Sequence, residues 1–382
     1  MNSTTAAVEI CDSIAGIPAG EWNALAGDDP FLGHAYLDAL HGTECACPRT
    51  GWTPQYLVLR ENTALAGVLP LYLKTHSYGE YVFDWAWADA YQRHGIEYYP
   101  KLLNAIPFTP VTGARVIART AAQRALLIKY ALQLAVDNDI SSLHSLFPPA
   151  EQSAALGEAG LLLRRGVQFH WQNRSYESFD AFLATFNHDK RKKISQERRR
   201  VRDAGIDFEW IPGAAVTDAL WIFFERCYRN TYRAHRSTPY LNLDFFRAIG
   251  RNMPANLLMV LARRNGEPVA ASLNIHNGVR LCGRYWGAIE YHPALHFEAC
   301  YYQVIEYCIT HGLASFEGGA QGEHKIARGL LPVTTHSAHW LAHPQFASAV
   351  EDFLLRETRG IEIYMDELEA RSPFKPPRPT MQ

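Results

Sequence analysis

The stretch SFEGGAQGEHKIARGL (315–330) sets Glu317, Glu323, His324, Lys325 and Arg328 among Gly318, Gly319, Gly322 and Gly329. A carboxylate or an imidazole removes a proton from an attacking amine. Lysine, arginine and glycine-exposed backbone N–H groups stabilise a developing oxyanion. Both are requirements of acyl transfer to an amine. No serine or cysteine here has the setting of a nucleophile elbow, so the pattern points to direct attack by the amine rather than a covalent enzyme intermediate. Glu317, Glu323, His324 and Lys325 are therefore the candidate catalytic residues, with Arg328 a candidate for holding an anionic group. A plain glycine turn carrying surface charges is the alternative.

A second concentration of chemistry lies in 74–113, a run rich in aromatics, glycine and histidine that reads as irregular. A polar-aromatic loop of that length is uncommon unless it builds or covers a site. Lys74, His76, Tyr78, Glu80, Asp84 and Trp87 are its candidate substrate-binding residues.

The third is basic. Residues 190–202 hold eight Lys or Arg against one Glu, and on a helix only Ile194 and Val201 supply an apolar stripe. Such a helix is either a solvated linker or a site for the phosphates of a nucleotide, CoA or tRNA. HPALHF (292–297) leads directly into a helix, whose first N–H groups suit an anion. Lys190, Arg191, Lys193 and His296 are accordingly the candidate donor-binding residues. No HExxH or equivalent spacing occurs, so no metal is expected.

These groups need elements to hold them, and the chain of 382 residues is long enough for two domains. Its 48% hydrophobic content and 20% charge describe a folded chain, and a net charge near −2 gives no global field for nucleic acid or membrane. The start, MNSTTAAVEICDS, lacks the pattern of a signal peptide, and no apolar run reaches 18 residues. The seven cysteines are scattered without CxxC pairs. A cytoplasmic protein with reduced thiols and no membrane span is expected.

Apolar periodicity predicts helices over 30–40, 120–138, 150–159, 178–186, 188–205, 214–234, 297–312 and from the chain's last strand to about 371. Strands are predicted at 56–60, 64–73, ISSLHSLF, 257–264, 268–276, 279–288, ASFEGG and THSAHWLAH. Pro30-Phe31-Leu32 and Pro239-Tyr240-Leu241 each precede a helix and then a strand–turn–strand, a weak sign of an internal repeat. The class is α/β (α+β).

The segments PFLGHAYLDAL, GWTPQYLVL, PLYLKTHSYGEYVFDWAWADAY, YYPKLLNAIPFTPVTG, DKRKKISQERRRV, HFEACYYQVIEYCITHGL and FEGGAQGEHKIARGLLPV resemble the FemAB-like family of GNAT-type proteins, over nearly the whole chain. The resemblance implies two tandem GNAT-like domains, each a mixed, mostly antiparallel sheet flanked by helices. The expected boundaries are 1–174 and 206–382, with 175–205 a basic helical connector. It also implies N-acyl transfer, with acyl-CoA or aminoacyl-tRNA as donor substrate and an amine of a small molecule or peptide as acceptor. Relatives that use tRNA hold it with a basic helical hairpin, whereas this chain has one basic helix. The Q/R-x-x-G-x-G/A loop of acetyl-CoA enzymes is absent, which leaves the donor open between the two. A non-catalytic module that recognises a glycan or peptide is the alternative function.

Overall fold

A computed structural model describes residues 6–320 and 322–375. The chain forms two compact units, and neither is continuous in sequence. One takes the chain up to Gly166 together with Thr334–Glu362, and the other takes Val167–Val333 and the chain from Ile363 onward. This differs from the expected division at 174 and 206. The strand after the glycine loop and the first part of the last helix belong with the first unit, and the basic helix is part of the second.

In the first unit, strands Ala6–Cys11, Tyr56–Glu61, Ala64–Leu69 and Ile117–Ala118 form an antiparallel sheet. Helix Ala121–Asp137 covers it, burying Leu127, Ile128, Ala131 and Ala135 against Leu57, Leu59 and Leu69. Its start is set by a capping box: Thr120 accepts from the Gln123 N–H, and the Gln123 side chain accepts from the Thr120 N–H. A second run of strands passes from Trp52–Pro54 through Tyr72–Lys74, Lys101–Asn104 and Ser142–Leu146 to Ser337–Leu341. The middle of this run is the bed for polar residues, because Lys74, Lys101, Asn104, His144 and His339 all lie on it fully buried.

Residues 74–113 are more ordered than their composition predicts. They contain helix Trp85–Arg93 and strand Lys101–Asn104. The expected strand 64–73 is broken at Pro70, and its second part, Tyr72–Lys74, pairs with Lys101–Asn104 instead.

In the second unit, strands Ile206–Pro212, Leu257–Arg264, Glu267–His276 and Arg280–Ala288 run antiparallel. Ser315–Glu317 then joins parallel to Arg280–Cys282, with Gln172 to His170 on its other side. Phe169, Trp171, Phe182, Phe186, Leu258, Val304, Ile305 and Phe316 make up much of the core. The predicted helix 297–312 is present but not uniform: one α turn (Leu295–Phe297) passes into a π segment (Glu298–Tyr302) and then α again (Gln303–Thr310). A π segment widens the helix and shifts the faces on either side of it.

The proposed repeat has a structural counterpart. Phe31 and Leu32 are buried just before helix His34–Gly42, and Leu241 just before helix Leu243–Asn252, with a strand pair following each. Both units thus combine a mostly antiparallel arrangement of strands with flanking helices. No described helix is both long and apolar enough to cross a membrane.

Candidate active site

The glycine stretch lies where two parallel strands part. Ser315–Glu317 pairs with Arg280–Cys282 over three positions only, while strand Arg280–Ala288 continues beyond. Lys325, on the short turn Glu323–Arg328, sits at this fork with 2% of its surface exposed. Its ammonium donates to the Gly319 carbonyl at 2.9 Å. Gly319 has φ +85°, a conformation that suits glycine and turns the carbonyl toward the lysine. Burial pushes Lys325 down to about 8, and the neighbouring Arg284 adds to the shift. Arg284 comes from the other arm of the fork, and its buried Nε has no hydrogen-bond partner among the described residues. Two cationic side chains therefore lie near enough to act on each other at the fork, and Arg284 Nε is an unused donor among the described residues.

The turn that carries Lys325 is held from below. Arg328 is buried, donates through Nη1 to the His324 carbonyl at 2.7 Å, and lies 3.4 Å above the centre of the Phe297 ring. Its Nη2 reaches both oxygens of Glu197 on the basic helix His188–Asp203 at 2.9 Å. Tyr302 donates to the same carboxylate. Arg328 is thus a structural strut rather than a free anion ligand.

His324 is exposed at the mouth, with Nε2 3.1 Å from the Tyr301 hydroxyl. Burial, with Arg328 and Lys325 behind it, lowers its pKa below the usual imidazole value, so the ring is neutral near pH 7. Glu323 accepts from Tyr364 at 2.7 Å and from Arg371 at 2.6 Å, so it tethers the last helix. Glu317 is buried and accepts from Arg280 at 3.1 Å. Of the three proton acceptors named from sequence, His324 is the exposed one that no ion pair among the described residues holds.

His296 packs its ring against Trp286, Phe297 and Tyr301, and burial pushes it down to about 4, with His324, Arg328 and Lys325 adding. Lys190 and Arg191 are half-exposed and Lys193 exposed on the first half of the basic helix. One face of the helix turns inward: Ile194 and Val201 are buried, and Arg198 is paired with Glu298 at 3.0 Å and Glu306 at 2.6 Å.

The first unit gathers its own candidates around Lys101, which sequence reading did not single out. Its ammonium donates to Ser77 at 2.7 Å, to Glu80 at 2.8 Å and to Asp84. Tyr98 donates to Asp84 at 2.6 Å and lies 3.0 Å from His144 Nε2. The chain continues through a 2.8 Å contact between His144 Nδ1 and His339 Nδ1, and ends at Ser337. Burial pushes Glu80 up to about 7. Burial also acts to raise Asp84, but Lys101 and His144 outweigh it and hold this carboxyl well below its usual range. Lys74 is fully buried, 3.7 Å over the Trp52 ring, and burial pushes it down to about 7.

Of the remaining candidates, His76 bonds the Thr50 carbonyl at 3.1 Å, and Trp87 is buried against His144 and His339. Tyr78 is exposed, with its ring 5.0 Å from that of Trp85. The sequence signal for Lys101 was weak: a lysine between Pro100 and two leucines, with its partners 17 to 24 residues away. Among the described residues no group of three His, Cys, Asp or Glu is arranged as metal ligands.

The chain belongs to the FemAB-like family, described as peptidoglycan biosynthesis/recognition, whose sequence profile matches residues 13–376. No curated protein sequence matches it. Among solved structures it is similar to the C-terminal domain of a putative lysylphosphatidylglycerol synthetase from Agrobacterium fabrum, with 9% identity, 88% and 95% of the two chains covered, and a TM-score of 0.56. It is also similar to FemX, at 11% identity, 88% and 98% coverage, and a TM-score of 0.54. A conserved protein of unknown function from Bacteroides thetaiotaomicron aligns at 11% identity over 87% and 99% of the two chains, with a TM-score of 0.51. At these identities the likeness is one of fold.

Proposed function

We propose that this chain is an N-acyltransferase that moves an acyl or aminoacyl group from an activated ester or thioester, acyl-CoA or aminoacyl-tRNA, to an amine of a small molecule or peptide. The observation that carries the reading is the buried Lys325 ammonium at the strand fork, beside an Arg284 donor that no described residue satisfies. A carbonyl placed there meets preorganised positive charge as its oxygen becomes an oxyanion.

The neutral amine attacks that carbonyl, and the new N–C bond forms as the bond to sulfur or oxygen of the donor breaks. His324, neutral and open at the mouth of the fork, accepts the proton the amine loses. Lys325 and Arg284 hold the oxyanion, and Arg328, Glu197 and Tyr302 keep the turn in place. The half-exposed Lys190 and Arg191 and the exposed Lys193 offer a charged surface to the phosphates of either donor. The C-terminal domain of a putative lysylphosphatidylglycerol synthetase shares the fold, and the lysyl-bearing product in its name fits this chemistry.

A thermal-shift panel of acyl-CoA, aminoacyl-tRNA and muropeptide tests the reading. A ligand at 100 times its Kd adds about 2.7 kcal/mol, which is readily seen. Stabilisation by one donor, reduced in Lys325→Ala, is the expected result. Stabilisation by muropeptide alone would favour a recognition module instead.

A further inference from the structure

Tyr301 and His324 meet at the fork from two elements. Tyr301 belongs to the π segment Glu298–Tyr302, and its hydroxyl lies 3.1 Å from His324 Nε2. The tyrosine is 4% exposed, whereas His324 is exposed. The two rings meet edge to face with their centres 5.8 Å apart. Gly318 marks where the hydroxyl end of the tyrosine lies. A Cβ there would sit 3.4 Å from Tyr301 Cε1, next to the ring carbon that bears the hydroxyl, and 3.5 Å from Lys325 Cδ. Tyr301 and the lysine of the fork therefore flank one glycine.

The segment that carries Tyr301 is fixed on several sides. Ser272, on strand Glu267–His276, donates to the Ala299 carbonyl at 3.0 Å, and Arg198 holds Glu298. Tyr302 donates to Glu197, the carboxylate that also holds Arg328. Single-turn π segments are frequent at functional sites. Here one sends two successive tyrosines to the two ends of the same turn, Tyr301 to His324 and Tyr302 by way of Glu197 to Arg328.

A neutral imidazole has one N–H and one lone pair, so the direction of the Tyr301 bond decides which nitrogen is basic. Were Nε2 to donate to the phenol oxygen, the buried Tyr301 O–H would have no acceptor among the described residues. An orphaned buried donor is costly. With the hydroxyl as donor both groups are served, since water reaches the exposed ring for its Nδ1–H. Burial holds the Tyr301 phenol far above its usual range, so it keeps a proton to donate. Burial of the ring, with Arg328 and Lys325 beside it, keeps His324 from taking a second one at rest.

We propose that Tyr301 is a proton relay between the attacking amine and His324, a role that rests on the transferase reading. In the resting protein its hydroxyl donates to His324 Nε2, and the ring proton is on Nδ1. As the amine attacks, its N–H bond breaks toward the Tyr301 oxygen while the Tyr301 proton passes to Nε2. The phenol ends neutral, as it began, and the imidazolium gives up the extra proton to water. His324 is thus the base, and Tyr301 is the group that touches the amine.

Nitrogen-15 NMR of the full chain labelled in histidine reads the tautomer without substrate, with His324 identified by the signals lost in His324→Gln. At a pH where the ring is neutral the proton is expected on Nδ1, and Tyr301→Phe is expected to release the ring to a mixture of tautomers. A proton on Nε2 in the unaltered protein overturns the proposal. Single-turnover transfer from acetyl-CoA or alanyl-tRNA to a muropeptide amine is the second measurement. Tyr301→Phe is expected to slow it about 10²-fold or more while donor affinity changes less than about twofold. In mixtures of light and heavy water the unaltered rate is expected to curve with deuterium fraction, as two protons in flight require, and a straight line overturns the relay. Full rate in Tyr301→Phe with a loss in His324→Ala also overturns it, and leaves His324 as the base. Absence of transfer from both donors removes the transferase reading and the relay with it, while the tautomer, read without substrate, still reports the hydrogen bond by itself.

Discussion

Arg328 and Glu197 form a two-pronged ion pair, with Nη2 2.9 Å from each carboxylate oxygen, and only 4% and 12% of the two side chains are exposed. Glu197 is the single acidic residue in the basic run 190–202, and it points inward to hold the turn that presents Lys325. The charge that looked out of place in a cationic helix is the one that fastens the helix to the site.

Glu197→Gln leaves Arg328 buried with one good acceptor lost. Removing a partner from a buried pair costs about 3–5 kcal/mol, and glutamine, which still accepts one bond, brings the expected loss to about 1–3 kcal/mol. Urea denaturation reads this as a lower midpoint with an unchanged slope. A midpoint equal to that of the unaltered protein would show that the pair holds nothing.

Lys325→Ala and Arg284→Ala each remove one donor from the strand fork. Loss of one oxyanion donor costs on the order of 10²–10³ in kcat, with a smaller effect on KM. Single-turnover transfer from the donor found in the thermal-shift panel measures it. Full turnover in both variants would place the reacting carbonyl elsewhere.

The pH dependence follows from two groups. His324 must be neutral to accept a proton, so activity rises as pH passes upward through its pKa, which lies below 6.5. Lys325 must be charged to hold the oxyanion, so activity falls as pH rises past about 8. A bell with its top between these limits is expected in kcat/KM, and His324→Ala should flatten the acidic limb.

Lys74→Met addresses the first unit. With a folded pKa of about 7 against 10.5 for a free lysine, the unfolded chain holds an extra proton between those values, so wild-type stability rises with pH through that window. Below pH 7 the burial cost is fully present. Methionine keeps the volume and drops the charge, and the loss of the contact with Trp52 offsets part of the gain. A net stabilisation of about 1–2 kcal/mol at pH 6, shrinking toward pH 10, is expected from thermal unfolding. A destabilised variant at pH 6 would mean that Lys74 is held by more than it costs.

The short apolar runs LLMVLARR, PVAASLNIH and VRLCGRYWGA, separated by the tight turns NGE and NG, made the second unit's strands readable. The basic helix and its end at Gly205 were readable for the same kind of local reason. Helix Trp85–Arg93 was not, because WAWADAYQR mixes aromatics and small residues and packs through Trp87 and Tyr91 rather than through a regular aliphatic stripe. The Lys101 network was hidden for another reason. His144 meets His339 across 195 residues, and no local spacing records a contact of that range. At the fork, Lys325 was visible from its glycine neighbours, while Arg284 was hidden inside a strand that reads as ordinary sheet.

The interleaving of the two units bears on how the chain is made. Domains that emerge early in synthesis commonly fold first. Here the strand that sets His339 beside His144 belongs to the first unit but leaves the ribosome after every strand of the second. The second unit in turn waits for the chain beyond Ile363. When synthesis has reached Val333 both units therefore still lack a piece, and a fragment stopped at residue 174 or 205 omits the partner strand Ser337–Leu341 of the first unit.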